Sequence, residues 1–237
     1  MITKMIASGS DRPDILYSQS PALYTFLNPV SYLKARNYSG LFLRFDGILA
    51  DGQLLVLAVG LLYRKRIRRR PFDMTSLADG LFRHARDNGK TVCLVGGKEG
   101  EAERTAGLLQ QRYPGIRIEG CWSGYFGSAG DRIRVRDAIL QSQPDYVIAG
   151  MGAVLQEEFL VELKDNGYRG IGITCGAFIS QTGRGRLDYY PSIIDRLRLR
   201  AAYRFLKERH TRSRYVKALI LFPVMFLADR LRNASGN

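Results

Sequence analysis

Histidine is scarce in this chain of 237 residues, which contains only His84 and His210. This scarcity argues against a histidine-based catalytic triad or metal cluster. Cysteine is scarce too, because Cys93, Cys121 and Cys175 are widely spaced and form no Cys-x-x-Cys pair. Their spacing argues against a zinc site or a disulfide framework and favours reduced thiols in a cytosolic compartment.

Long apolar runs are also missing. The longest lie at 54–63 and 218–228, and Pro223 interrupts the second. Both fall short of the ~20 residues that a membrane-spanning helix needs. The first residues lack the continuous apolar segment of a signal peptide. We therefore expect that no part of the chain crosses a bilayer.

Negative charge is in the minority, since 36 Lys and Arg residues stand against 22 Asp and Glu residues, giving a net charge of +14. Much of the surplus lies at 184–232, where thirteen basic residues stand against four acidic ones. Such an excess favours an anionic partner. A nucleic acid, a phospholipid surface and a phosphorylated substrate all fit this charge.

The middle of the chain alternates short apolar segments with helical patterns. The segments 91–97, 144–152 and 170–176 each end in glycine, and patterns of helical period lie between them. This alternation predicts an α/β fold, with a mainly parallel sheet covered by helices on both faces. Ligands of such sheets bind beyond the carboxyl ends of the strands.

The pattern changes near residue 188, where a stretch of continuous helical period begins and interleaves Arg with Leu, Phe and Tyr. We therefore divide the chain into a core at 1–187 and a basic helical appendage at 188–237. Cationic side chains mixed with apolar ones suit a helix that lies in an anionic membrane interface. The sequence offers no helix-turn-helix, zinc-finger or base-stacking context, so we expect no nucleic-acid partner.

Two predicted strand ends carry candidate anion-binding groups. Gly96 and Gly97 precede a helix, where backbone N–H groups can hold an anion, although a tight turn explains them equally well. No Walker motif or Gly-x-Gly-x-x-Gly fingerprint is present. Gln156 and Glu157 occupy the first turn of another predicted helix, where the helix dipole favours the carboxylate.

Two Asp-Gly pairs precede the longest basic run of the chain. Asp46-Gly47 and Asp51-Gly52 have the composition of tight turns. The run at 64–70 then contains six basic residues out of seven. Because these like charges repel one another, a phosphate or lipid partner is favoured over a purely solvated face.

Taken in order, these segments resemble the WecG/TagA/CpsF family of bacterial glycosyltransferases. The resemblance runs from about residue 28 to residue 215 and rests on "ADG", "GMGAVLQEEF", "CGAFISQTGRGRLDYYP" and "LRLRAAYRFLKER". Its most specific part is "GKTVCLVGGKEGEAERTAGLLQQRYPGIRIEGCWSGYF".

The resemblance implies a Rossmann-like core and an inverting transfer of a sugar from a UDP-sugar to a polyprenyl-diphosphate-linked saccharide. Such reactions build exopolysaccharide, capsule or teichoic acid linkers. It further implies that no metal or other cofactor takes part, and that the protein is peripheral on the cytoplasmic face of the bacterial inner membrane. Whether the chain forms a homo-oligomer stays open.

The resemblance also suggests roles for individual residues. Asp51 is the expected catalytic base, and Gln156 is a further expected catalytic residue. Arg68 lies near the family's arginine before Asp73 and is expected to neutralise the diphosphates in catalysis. Donor and acceptor binding is expected at Thr25, Asn28, Gly96, Gly97, Gly152, Glu157, Gly176, Arg204, Arg212 and Arg214.

The sequence departs from the family pattern around the expected donor sugar. Val154 and Leu155 replace a common Pro-Lys pair, Ile179 replaces an Asp, and Phe26 replaces a Thr that here stands one position earlier. The donor sugar is therefore open among N-acetylmannosamine, glucose and a uronic acid. A non-catalytic membrane adaptor stays the second hypothesis, and an NAD-dependent enzyme is disfavoured by the absent dinucleotide fingerprint.

Overall fold

A single sheet of six parallel strands forms the centre of the protein. The structure is a computed structural model, and it describes residues 2–9, 21–187, 205 and 212–235. The strands are β1 Ala22–Leu27, β2 Gly47–Ala50, β3 Thr91–Gly96, β4 Arg117–Trp122, β5 Tyr146–Gly150 and β6 Ile171–Thr174. Their order in the sheet is β2-β1-β6-β5-β3-β4, and every neighbouring pair is parallel.

Helices connect the strands, as the alternation in the sequence predicts. The helices are α1 Ile2–Gly9, α2 Pro29–Ala35, α3 Ser39–Phe42, α4 Gln53–Tyr63, α5 Leu77–Asp87, α6 Glu101–Arg112, α7 Ala129–Ser142, α8 Leu155–Asp165, α9 Phe178–Thr182 and α10 Arg212–Ser235. A short 3-10 turn follows α2 at Arg36–Tyr38. Asn28 caps α2, because its side chain accepts hydrogen bonds from Val30 N and Ser31 N, and Pro29 begins the helix.

The sheet separates two hydrophobic cores. On one face, α5, α6 and α9 pack against it, and on the other face α2, α4, α8 and α10 do so. Every residue of β3 and β5 is buried, because these central strands are covered on both sides. The prediction of an α/β fold with helices on both faces is confirmed.

The connections leave the sheet on alternate faces and so create a crevice at its carboxyl edge. The chain passes from β5 into α8 on one face and from β3 into α6 on the other. Likewise, β1 and β6 lie side by side but continue into α2 and α9 on opposite faces. Such divergence opens the place where parallel sheets bind ligands.

Two elements of the N-terminal half were not apparent from the sequence. The four residues between Asp46 and Asp51 form β2, and the apolar run after the second Asp-Gly pair forms α4. Asp46 directly precedes β2, whose first residue is Gly47, so this Asp-Gly pair begins a strand. The Asp46 carboxylate accepts hydrogen bonds from Leu23 N at 2.8 Å and Lys164 Nζ at 3.2 Å.

The C-terminal helix α10 packs on α2 through aromatic side chains. The rings of Phe222 and Phe226 lie 5.4 Å and 5.2 Å from the ring of Tyr32. The Tyr32 hydroxyl donates to Asp229 at 2.7 Å, and Arg36 Nε donates to the same carboxylate at 2.9 Å. Partial burial raises the pKa of Asp229, but these hydrogen bonds outweigh it and leave the pKa below its ordinary value.

The helix α10 continues through Pro223, in agreement with the continuous helical period of this part of the sequence. Within the described residues, no helix is both long enough and apolar enough to span a bilayer. Most of the predicted appendage between 188 and 211 lies outside the described residues. The boundary between core and appendage therefore stays a prediction.

Replacing Phe226 by Ala is expected to lower the free energy of unfolding by about 3–5 kcal/mol, because a fully buried aromatic side chain leaves a cavity. Val224 lies on the exposed side of the same helix and serves as the matched control. Val224→Ala should change the stability by no more than about 0.5 kcal/mol. Urea denaturation measures both, and equal effects would contradict the packing of α10 described above.

Candidate active site

A cavity of about 770 Å³ opens at the carboxyl ends of β1, β2, β5 and β6. The loops after these strands form its floor, and the start of α10 forms part of its wall. The α10 residues that line it are Arg214, Tyr215, Ala218 and Leu219. The cavity therefore joins the crevice of the sheet to the C-terminal helix.

Asp51 lies in this cavity directly after β2. Its backbone N–H donates to Leu27 O at 2.8 Å, which extends the pairing of β2 with β1 by one residue. Gly52 follows with φ +135°, and a Cβ at that position would lie 3.2 Å from Cδ of Pro29. The glycine thus lets the chain turn close to α2, while the side chain of Asp51 stays at the cavity.

Arg69 pairs with Asp51. Its Nη2 lies 3.2 Å from Asp51 Oδ1, and the two side chains are 25% and 33% exposed. The segment 64–70 that supplies Arg69 runs beside β2, since Arg70 N donates to Ala50 O at 2.9 Å. A half-buried arginine next to a half-buried carboxylate holds that carboxylate in one place at the cavity wall.

Arg68, the arginine expected at the site, points elsewhere. Its side chain is exposed, and it is not among the described residues that line the cavity. Burial alternates along this segment, with Ile67 and Arg69 turned inward and Arg66 and Arg68 turned outward. Ile67 is the single apolar residue of the basic run. It was the one feature of the sequence that could indicate which of the arginines face inward.

The loop after β5 brings Gln156 to the cavity. Gly152 lines the cavity and has φ +77°, a left-handed conformation that favours glycine. Gln156 follows in the first turn of α8, lines the cavity and is only 3% exposed. Gly176, after β6, and Asn28, after β1, also line it, so with Asp51 and Arg214 six predicted residues meet here.

Thr25 and Glu157 lie behind this wall and do not line the cavity. Both are fully buried. Glu157 Oε1 accepts hydrogen bonds from Thr25 Oγ1 at 2.8 Å and from Gln156 Nε2 at 2.9 Å. Burial raises the pKa of the Glu157 carboxyl, although these two hydrogen bonds oppose the shift.

Gly96 and Gly97 are also outside the cavity lining that the structure describes. The helix start after them is occupied by Glu101, whose Oε2 accepts from Lys98 N at 2.8 Å. A Cβ on Gly96 would lie 2.6 Å from Gly150 O, so this glycine permits β3 and β5 to approach closely. The Glu101 carboxylate thus takes one backbone N–H of the loop that follows the two glycines.

Cationic side chains reach the cavity from three elements. Lys34 comes from α2, Arg69 from the segment beside β2 and Arg214 from α10. Lys34 Nζ donates to Ala153 O at 3.3 Å, which ties α2 to the loop after β5. No motif or charge run in the sequence marked Lys34 as a member of this group of three cations.

The remaining two predicted arginines are placed differently. Arg212 does not line the described part of the cavity. Its Nε donates to Phe205 O at 2.9 Å, and its guanidinium lies 5.7 Å from the ring of Phe205. Arg204 lies outside the described residues, so its role stays a prediction.

The family model for glycosyl transferases of the WecG/TagA/CpsF family matches residues 14–236. The chain belongs to this family. The resemblance of its motifs is thereby confirmed, and the cavity is the candidate active site of a glycosyltransferase. This glycosyltransferase is also similar to a UDP-Gal:alpha-D-GlcNAc-diphosphoundecaprenol beta-1,4-galactosyltransferase from Shigella boydii. The two are 32% identical over 207 residues, which cover 87% of this chain and 86% of that protein.

The arrangement suits glycosyl transfer chemically. Asp51 offers a carboxylate that can accept a proton, and the three cations can stabilise a negatively charged leaving group. In the part of the chain that the structure describes, no cluster of three or more His, Cys, Asp or Glu side chains is placed to hold a metal ion. The expectation that no metal takes part was not tested and stays a prediction.

Arg69→Gln is expected to lower kcat/KM for glycosyl transfer about tenfold or more, because hydrogen bonds to charged groups contribute about 1.5–3 kcal/mol. Arg68→Gln removes the same charge from the neighbouring exposed position and is the matched control. It should leave kcat/KM within about twofold of the wild type. A larger loss in Arg68→Gln than in Arg69→Gln would show that the sequence-based expectation was right and the structural placement wrong.

Proposed function

We propose that this glycosyltransferase moves a neutral hexose, with galactose as the first candidate, from a UDP-hexose to a polyprenyl-diphosphate-linked saccharide. The observation that carries the proposal is the cavity itself, in which two carboxylates, Asp51 and Asp73, and three cations meet at the carboxyl edge of the sheet. The Asp73 carboxylate accepts hydrogen bonds from Thr75 N and Thr75 Oγ1, whereas Asp51 pairs with Arg69. The similar Shigella boydii protein, whose name states a UDP-Gal donor and a diphosphoundecaprenol acceptor, supports it.

The reaction is a single displacement that inverts the anomeric carbon. A hydroxyl of the acceptor sugar attacks the anomeric carbon while the bond from that carbon to the UDP oxygen breaks. Asp51 accepts the proton of the attacking hydroxyl as general base. The departing UDP carries the electron pair of the broken bond and develops negative charge on its diphosphate.

Lys34, Arg69 and Arg214 provide the positive charge that this diphosphate requires. They lie on three different elements around one cavity, so a bound diphosphate would be held from more than one side. Arginine is suited to this role because its planar guanidinium can form two parallel hydrogen bonds to phosphate oxygens. With these cations present, the proposed mechanism uses neither a metal ion nor another cofactor.

The family departures favour a neutral sugar. Of the three replaced residues Val154, Leu155 and Ile179, only Leu155 lines the cavity. Leucine offers no charge to pair with the carboxylate of a uronic acid, whereas the lysine common in the family would. Phe26 also lines the cavity and replaces a threonine hydroxyl by an apolar ring. An apolar wall of this kind suits the apolar face of a neutral hexose.

A transfer assay with a short-chain prenyl-diphosphate saccharide and a panel of UDP-sugars tests this proposal. We expect product with UDP-galactose, or with UDP-glucose at a lower rate, and little product with a UDP-uronic acid. The rate should be unchanged in EDTA, because no metal ion takes part. Loss of activity in EDTA, or a preference for the uronic acid donor, would contradict the proposal.

Asp51→Asn is the active-site control in the same assay. The amide cannot accept the proton, so transfer should fall by at least about 100-fold. Binding of UDP, measured by calorimetry, should change little because the amide keeps the shape of the carboxylate. Normal turnover by this variant would show that another group is the base. If the wild type does not bind UDP at all, the hypothesis of a non-catalytic membrane adaptor is favoured instead.

We further propose that the protein lies peripherally on an anionic membrane, at the cytoplasmic face of the inner membrane, where the acceptor lipid would be reached. On α10, exposed apolar side chains recur every three or four residues at Val216, Ile220, Val224, Leu227 and Leu231. The neighbouring helix α4 exposes Leu57 and Leu61, of which Leu61 is 80% exposed.

Exposed cations accompany these apolar side chains. Arg64, Lys65 and Arg66 directly follow α4, and Lys217 lies on α10. The two helices touch through the rings of Tyr63 and Phe226, whose centroids are 6.5 Å apart. Apolar side chains flanked by cations are the composition of a helix surface that binds an anionic lipid interface.

The double change Leu57→Ser and Leu61→Ser should reduce co-sedimentation with vesicles that contain anionic phospholipid by about tenfold, because two apolar side chains no longer enter the interface. Ile133→Ser removes an exposed apolar side chain on α7, far along the chain from these helices, and is the control. Transfer to a water-soluble acceptor should be unaffected in both variants. Unchanged sedimentation of the double variant would refute the role of α4.

A further inference from the structure

Glu157 is a buried carboxyl group whose position next to the cavity has no role in the mechanism above. It lies in the first turn of α8, is fully buried and does not line the cavity. The residue before it, Gln156, does line the cavity. The sequence pattern suggested that both residues contact substrate, and the structure separates them.

A chain of hydrogen bonds fixes the side chain of Glu157. Thr174 Oγ1 on β6 donates to Thr25 Oγ1 on β1 at 2.9 Å. Thr25 Oγ1 therefore uses its own hydrogen to donate to Glu157 Oε1 at 2.8 Å. Glu157 Oε1 must accordingly act as an acceptor, whether the carboxyl group is ionised or carries its proton on Oε2.

This constraint decides the orientation of the Gln156 amide. Gln156 Nε2 donates to Glu157 Oε1 at 2.9 Å. The opposite amide orientation would place the Gln156 carbonyl oxygen against an oxygen that already acts as an acceptor. The amide nitrogen is therefore directed at Glu157, and the carbonyl oxygen is the atom left over.

That carbonyl oxygen has no hydrogen-bond partner in the structure. Gln156 is only 3% exposed, so bulk water does not satisfy it either. Buried polar atoms without a partner are uncommon in folded proteins, and such an atom at a cavity wall is often satisfied by a bound molecule. The missing partner must be a hydrogen-bond donor, because a carbonyl oxygen can only accept.

We propose that Glu157 is a positioning residue that holds the Gln156 carbonyl oxygen toward the cavity, where it accepts a hydrogen bond from the sugar nucleotide. The inference rests on the proposed function, since it requires a UDP-hexose in this cavity. The donor group is either the ring N–H of the uracil or a hydroxyl of the hexose, and both have the chemistry that the carbonyl oxygen requires.

The surroundings of Glu157 agree with this role. Burial raises the pKa of its carboxyl group, so the neutral form persists to higher pH than for an exposed glutamate. The charged group that acts on it most clearly is its neighbour Glu158, which raises the pKa further. Oε2 of Glu157 is also buried without a hydrogen-bond partner. A proton on that oxygen would remove the negative charge from behind the wall that a diphosphate approaches, while Oε1 still accepts both hydrogen bonds.

A double-mutant cycle tests the inference. Calorimetry would measure the Kd of UDP-hexose for the wild type, Gln156→Ala, Glu157→Leu and the double variant. We expect each single change to raise this Kd about tenfold, as the loss of one hydrogen bond in a buried site does. The double variant should be no weaker than the Gln156→Ala variant, because Glu157 acts only through Gln156.

Glu157→Gln is the conservative control. Its carbonyl oxygen can accept from both Gln156 and Thr25, so its Kd should stay within about twofold of the wild type. Thr25→Val, compared with Thr25→Ser, provides a second test on the same chain in case Glu157→Leu does not fold. Loss of the hydroxyl should raise the Kd, and its retention in serine should not. Thermal unfolding of each variant separates these effects from loss of the fold.

Titrations with UDP alone identify which donor group is bound. If the uracil N–H is the partner, the single variants weaken UDP and UDP-hexose equally; if a sugar hydroxyl is, they weaken only UDP-hexose. Both results support the inference. Additive effects in the double variant, or an unaltered Kd in Glu157→Leu, would overturn it while leaving the proposed function intact. A wild type that binds neither ligand would overturn both.

Discussion

Burial of the parallel sheet on both faces is the constraint on which the site depends. Parallel strands need crossover connections, so helices must cover both faces and each carboxyl end must lead into a loop at one common edge. Residues far apart in the chain therefore meet there. Asp51 after β2 and Gln156 after β5 are separated in the sheet by β1 and β6, yet they line one cavity.

The packing of α10 on α2 adds what the sheet cannot provide. Aromatic contacts between Phe222, Phe226 and Tyr32 hold this helix in place, and the Asp229 carboxylate binds both Tyr32 and Arg36. One end of the helix brings Arg214 to the cavity, while its outer side exposes apolar residues. A single docked helix thus links the proposed diphosphate site to the proposed membrane surface.

Two buried glutamates at helix starts show how similar local sequences take different roles. Glu101 turns back onto Lys98 N in the loop after β3, where the neighbouring glycines permit close packing. Glu157, at the start of α8, instead binds two side chains and directs one of them toward the cavity. The difference arises because Thr25 and Gln156 lie within reach of Glu157.

The amino-acid sequence by itself determined the alternation of strands and helices, the glycine-ended strands and the family. These features follow from local periodicity and from short motifs, and the structure bears out the fold class. Asp51 could also be named from the sequence, because its Asp-Gly pair matches the family motif. Its place in the cavity is consistent with that role, which awaits the transfer assay.

Tertiary structure alone decided which neighbouring residues face the cavity. In the segment 64–70, the apolar Ile67 hints at which side chains turn inward, but only the packing of that segment beside β2 brings Arg69 and not Arg68 to Asp51. The same holds for Glu157, whose burial depends on Thr25 from a strand 132 residues away in the chain. Local sequence cannot report such contacts, because they exist only once the strands have come together.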